Sequence, residues 1–290
     1  MKRQLGSAAW LAPCLALTFS LAAVAAPFDD DHDRGNSPCS GLPGYSELKA
    51  ALKTATAAES SGLNNQMWAS IVNRDGMICA VAFSGDNRGA QWPGSRLISA
   101  QKAYTANAFS LDPSSSSAGS GQVAGLALST ANLYSATQPG GSLYGLQHSN
   151  PVDPSVGYKG PASRQGTSND PLVGEVMGGV NVFGGGLALY AAGHTIVGGV
   201  GVSGDTSCAD HNIAWRVRNL LNLDHMAASG STPAVAGPAS LFNSDPTHPD
   251  NIIFDIIANV AGGTGNSASG FGHPACLSTG GSATLPAVRP

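Results

Sequence analysis

Four residues within nine positions could do acyl chemistry: Ser203 as nucleophile, His211 as base, and Asp205 or Asp210 to orient it. The serine lies in Gly201-Val-Ser-Gly204, which lacks the G-x-S-x-G turn that lifts a nucleophile clear of a sheet. The same region carries a second set: Asp205, Cys208, Asp210 and His211, with His273 and Cys276 far downstream, are all metal-ligand types. No two cysteines have zinc-finger spacing, so disulfides are the favoured use of the thiols. A third pattern, Gly199-x-Gly201-x-x-Gly204 with Asp224 twenty residues beyond, matches the dinucleotide fingerprint. A Rossmann unit needs a parallel strand ending near that acid, and Leu223 to Pro233 is turn chemistry instead. No nucleotide cofactor is expected.

These residues sit in or beside a glycine-rich run, Gly178 to Tyr190 followed by Gly193 to Asp205. Glycines between β-branched residues mean positive φ or very close approach by another group. For Gly184-Gly-Gly186 the bland reading, a helix packed tightly on a sheet, is favoured over a ligand cradle.

The elements that must position this region can be read in order. Lys2-Arg3, an apolar stretch from Ala8 to Val24, and small residues at Ala23-Val-Ala25 form a secretory signal, so export to the periplasm or medium is expected. Cys14 lies inside that apolar stretch and is not read as a lipidation site. Removing residues 1–25 of 290 leaves 265 and moves the formal charge from −4 to −6, because Lys2 and Arg3 leave with them. With 11% charged residues and no basic run, nucleic acid is not an expected partner. No second long apolar segment follows, so no membrane insertion is expected after signal removal. Four cysteines remain: Cys39, Cys79, Cys208 and Cys276. In an oxidising compartment they predict two disulfides, with three connectivities open. Cys208–Cys276 is preferred because it would tie an apolar-poor tail to a core helix, which leaves Cys39–Cys79 by elimination.

Residues 26–44 read as a disordered acidic lead. Ser46 to Ala58 predicts a helix with Leu48, Ala51, Leu52, Ala55 and Ala58 on one stripe, and Met67–Asn73 with Met77–Ser84 predicts a hairpin turning at Arg74-Asp75-Gly76. A second helix is expected over Ser95–Ser110, a third over Gln122–Ala136, strands over Val180–Tyr190 and His194–Gly204, and a last core helix after Asp205. Residues 137–177 are too long and too rich in Pro, Gly, Ser and Asn for an ordinary connection and read as an ordered functional loop or insertion; Ser114–Ser117 reads as a loop tip. The tail beyond Leu223 reads as loop apart from Asn251–Val260. Helix, hairpin, helices, strands and helix in that order predict an α+β sandwich, an antiparallel sheet covered by helices. Along the second helix Ile98, Lys102, Thr105 and Phe109 share one face.

Ser99-Ala-Gln-Lys-Ala-Tyr-Thr-Ala106, Gly184-Gly-Gly-Leu-Ala-Leu189, and Gly198-Gly-Val-Gly-Val-Ser-Gly204 followed by Asp210 and Ile213-Ala214 resemble the GlcG/HbpS-like haem-binding family, also described as haem-degrading domains. The resemblance spans Tyr45 to Asp224, leaving 225–290 as an extension packed on the same domain. It implies a profilin-like sandwich, a homo-oligomer, and haem or a related tetrapyrrole as ligand, in iron acquisition or redox sensing. The alternative is a secreted enzyme that degrades haem or hydrolyses another small ligand. On this chain the resemblance makes Ile98, Lys102, Thr105, Phe109, Gly184, Gly185 and Gly186 the cofactor-binding set. Thr105 would be an oxygen donor to iron, and Lys102 a partner for a propionate. The plain readings are a solvated lysine and a threonine bonded back to its own helix. Of the seven histidines, His148 in the insertion and His32 in the lead are the freest to ligate iron. Departures from the family are the 137–177 insertion, the cysteine-bearing tail and Ala188 in place of a frequent proline.

Overall fold

The computed structural model describes residues 37–115, 125–262 and 265–290. The signal segment, Cys14, His32 and the loop tip beyond Ser115 lie outside them.

Four antiparallel strands form the central sheet: β1 (Trp68–Asn73), β2 (Ile78–Phe83), β3 (Gly186–Ala191) and β4 (Thr195–Ser203), in the order β2-β1-β4-β3. Strand alternation sorts their side chains into two layers. Ala69 and Ile71 of β1 and Val200 and Val202 of β4 face one core, shared with α1 (Tyr45–Ala57) and α5 (Ser207–Leu220) through Leu48, Leu52, Ile213 and Trp215. Trp68 and Val72 face the other, shared with α2 (Ser95–Ala108) through Leu97, Ala100 and Ala103. This is the expected α+β sandwich with helices on both faces.

The sequence explains why α2 lies so close to β4. A Cβ on Gly199 would stand 2.3 Å from the Ala103 carbonyl oxygen, and one on Gly201 would stand 1.9 Å from that of Ser99. Only hydrogen on these α-carbons allows the helix backbone to rest on the strand. The dinucleotide-like glycines therefore lie inside an antiparallel strand that pairs with β1 and β3, not in a phosphate-binding turn.

Residues 137–177 pack onto the body. After α3 (Leu133–Thr137) the chain carries α4 (Pro154–Gly157) and then runs beside the start of β2, where Met77 bridges Val176. There Ile78 N donates to Glu175 O and Gly174 N to Ile78 O, both at 2.8 Å. Leu172 and Met177 join Trp68, Phe83 and Leu97 in the second core. Asp170 receives the buried Arg96 guanidinium, with Arg96 Nε at 2.9 Å from Oδ2.

Several expectations are corrected. Within the described part of Gln122–Ala136 only α3 is helical: Leu126 bridges to Leu111 and to Ala236, and Ser129 and Asn132 side chains capture backbone groups that a helix would use. Residues 180–185 are not strand, because Asn181 N donates to Thr105 Oγ1 and Gly184 N to Ser207 Oγ, drawing this stretch over α2 and onto α5. Residues 37–44 belong to the body, tied down by Cys39–Cys79. Within Asn251–Val260 only β5 (Ile256–Ile257) pairs, with β6 (Asn266–Ser267). The extension, which also carries α6 (Pro238–Phe242), closes onto α5: Trp215 Nε1 donates to Pro286 O at 2.8 Å, and Arg218 binds both oxygens of Asp250 at 2.7 and 2.9 Å. Both disulfides form with the preferred connectivity, Cys39–Cys79 and Cys208–Cys276.

Candidate functional site

The face of α2 that carries the resemblance is occupied by the protein itself. Lys102 is fully buried, with Nζ 2.6 Å from Asp210 Oδ2, 3.0 Å from Val202 O and 3.8 Å above the Phe183 ring centre. Asp210 Oδ1 accepts from Asp205 N at 2.8 Å, so the carboxylate is held from both sides. Burial pushes the Asp210 carboxyl up to about 7 and the Lys102 ammonium down, while each partner's charge works against both shifts. The Lys102 and Asp210 side chains reach each other beside Gly185, where no side chain stands in the way. A Cβ there would lie 3.0 Å from both Lys102 Nζ and Asp210 Cβ, and its φ of +116° favours glycine as well. The partner expected of Lys102, a propionate, is in the structure the carboxylate of Asp210.

Thr105 is equally committed. Its hydroxyl donates to Gln101 O at 2.7 Å, the back-bonding of the plain reading, and accepts from Asn181 N at 3.0 Å. Gly184 and Gly186 are filled positions: Cβ atoms would stand 2.3 Å from Ser207 O and 2.4 Å from Lys102 O. These glycines bring α2 and α5 backbone into close contact with the chain that runs over them. What stays accessible of this face is an edge, with Ala108 exposed and Ile98, Gln101, Tyr104 and Phe109 half-buried. The turn carrying His148 comes to that edge, since Tyr104 donates its hydroxyl proton to Asn150 Oδ1 at 3.3 Å. His148 itself is exposed. An imidazole is a far commoner axial ligand of haem iron than a threonine hydroxyl.

The acyl-transfer set is not assembled. Ser203 is buried, Asp205 accepts from Leu63 N, Asn65 N and Thr206 N, Asp210 serves Lys102, and both ring nitrogens of His211 are buried without a hydrogen-bond partner. Burial holds the His211 imidazole down at about 3, neutral throughout the physiological range. Of the possible metal ligands, Cys208, His273 and Cys276 converge, while Asp205, Asp210 and His211 do not join them.

One constellation escaped the sequence reading. His273 is buried at the first turn of α5, with Nδ1 2.7 Å from Pro274 O and Nε2 2.7 Å from Ser207 Oγ. A carbonyl can only accept, so Nδ1 carries the proton and Nε2 offers its lone pair to the Ser207 hydroxyl. Burial is the main cause that keeps this imidazole below the ordinary histidine range. The residues are 66 positions apart, and no local pattern announces the pair.

Fold and site thus define an α+β sandwich in which Lys102, Thr105 and Asp210 are bonded inside the protein, while His148 is exposed on the turn whose Asn150 meets Tyr104 of α2. The family model described as "Haem degrading protein HbpS-like" matches residues 47–218, more than half of the chain, and the protein belongs to that family. Two solved structures are similar to it. The crystal structure of a PduOC:heme complex is 23% identical, with a TM-score of 0.39, covering 61% of this chain and 91% of that one. Klebsiella pneumoniae protein ORFY, under the family model DUF336, is 23% identical, with a TM-score of 0.38, covering 61% and 86%. Neither likeness is close enough to transfer a ligand or a site. No curated protein matches significantly.

Proposed function

We propose that the protein is an exported haem-binding protein, acting in haem or iron acquisition or in redox sensing. The observation that carries this reading is the family match from α1 to α5. Export is supported by the signal-like first 25 residues and by two disulfides, which persist in oxidising compartments. Ile98, Tyr104 and Phe109 at the accessible edge of α2 and the exposed His148 would hold the haem, with the His148 imidazole as the candidate iron ligand. Thr105 and Lys102 support the helix from inside. The resemblance implies that the chain works as a homo-oligomer. Bound haem supplies an iron centre; the residues here bind and orient it.

Titrating purified protein with haemin tests the reading: a saturable Soret shift is expected, and a purely linear response would overturn it. The second reading, a haem-degrading enzyme, is favoured by the family's description. It predicts loss of the Soret band with release of iron or a bilin when a reductant is added, whereas a carrier keeps its haem intact.

A further inference from the structure

Cys208 is the second residue of α5, fully buried, and Cys276 is half-buried in the extension. One ligand atom from each of Cys208, Cys276 and His273 lies within 4.8 Å of the other two. As long as the sulfurs are joined, neither is a thiolate and no metal is held. We propose that these three residues form a redox-gated site for a thiophilic divalent cation such as Zn2+, closed as the disulfide and opened by a dithiol reductant.

The exchange balances in two steps. A thiolate of the dithiol attacks the more accessible sulfur, Cys276 Sγ. A mixed disulfide forms and the Cys208–Cys276 bond breaks, with the electron pair leaving on Cys208. The second thiol of the reductant then closes onto the first as a cyclic disulfide and releases Cys276 as a thiolate. Two electrons have passed from the dithiol to the protein.

His273 is already arranged as a ligand. The Pro274 carbonyl fixes the Nδ1 proton at 2.7 Å, as the outer partner of a metal-bound imidazole does, and Nε2 keeps the electron pair. That pair is at present shared only with the Ser207 hydroxyl. Two thiolates and one imidazole make a Cys2His set for tetrahedral Zn2+, with water in the fourth position. The extension would then stay joined to α5 through the metal in place of the disulfide.

Co2+ serves as the spectroscopic probe. The dithiol-reduced, desalted protein, titrated anaerobically, should take up one Co2+ with thiolate-to-cobalt charge-transfer absorption, which Zn2+ then abolishes. The oxidised protein should show none. Cys39→Ala/Cys79→Ala, which lacks the other two thiols, should retain the one-to-one band, and His273→Ala should weaken affinity at least about 100-fold. A reduced wild type without the band overturns the site. So does His273→Ala titrating like wild type. So does a reduced chain whose far-UV circular dichroism is lost and not restored by Co2+.

Discussion

Lys102 is assigned a structural role, and replacing it with methionine tests that assignment. Lys102→Met keeps the length of the side chain but leaves Asp210 buried with only the Asp205 amide as partner. Removing one member of a buried pair costs about 3–5 kcal/mol, because the remaining charge is uncompensated. For a folded body of this size that corresponds to a fall in Tm of roughly 6–20 °C. Lys102→Met/Asp210→Leu removes both charges and should recover most of the loss, since apolar groups of similar volume often replace a buried pair without penalty. Urea unfolding with the disulfides intact measures each variant. Haemin titration of the double variant should match wild type. A single variant within 1 kcal/mol of wild type would refute the pair's structural role. A well-folded double variant that loses haem would return Lys102 to the binding face.

Further predictions concern other parts of the fold. Gly201→Ala should destabilise severely, because its Cβ would meet the Ser99 carbonyl at 1.9 Å. Gly193→Ala, with open space around it but a φ of +79°, should cost only about 1–2 kcal/mol by thermal melting. Cys208→Ala/Cys276→Ala should lose about 4 kcal/mol in the chain-entropy account of a cross-link spanning 68 positions, read by denaturant midpoint under oxidising conditions. Acid should expose His211: its pKa is about 3 folded and 6.5 unfolded, so the unfolded state binds the extra proton as pH falls from 6.5 toward 3. That removes on the order of 3 kcal/mol by pH 4. Asp210, pushed up to about 7, contributes with the opposite sign in the same window, so the His211 share is read as the difference in acid slope between wild type and His211→Gln. Equal slopes would contradict the burial argument.

What could be read from the sequence was what short-range pattern controls. The 3.6-residue stripe of α1 and the Arg74-Asp75-Gly76 turn located helix and hairpin within a residue or two. The glycines of Gly198 to Gly204 announced close approach, and at Gly199 and Gly201 α2 is the element that approaches. Periodicity failed where side chains compete with the backbone, as at Ser129 and Asn132, which turned a predicted helix into a bridged extended segment. The site residues were recognised by type but not by use. Lys102 and Asp210 are 108 positions apart, Arg96 and Asp170 are 74 apart, and no spacing rule reports that each cation is sealed by a carboxylate. Residues 137–177 read as ordered but not as core, because Leu172 and Met177 stand among loop residues, yet they join the core over β1 and β2.

The central claim is that haem is held at the outer edge of α2 by His148 while Thr105 stays inside. It is tested most directly by haemin titrations of wild type, His148→Ala and Thr105→Val, followed through the Soret band. The account predicts saturable binding by wild type, a displaced Soret maximum and at least about tenfold weaker affinity for His148→Ala, and a wild-type spectrum for Thr105→Val. A wild-type titration by His148→Ala, together with a displaced Soret band for a folded Thr105→Val, would contradict it.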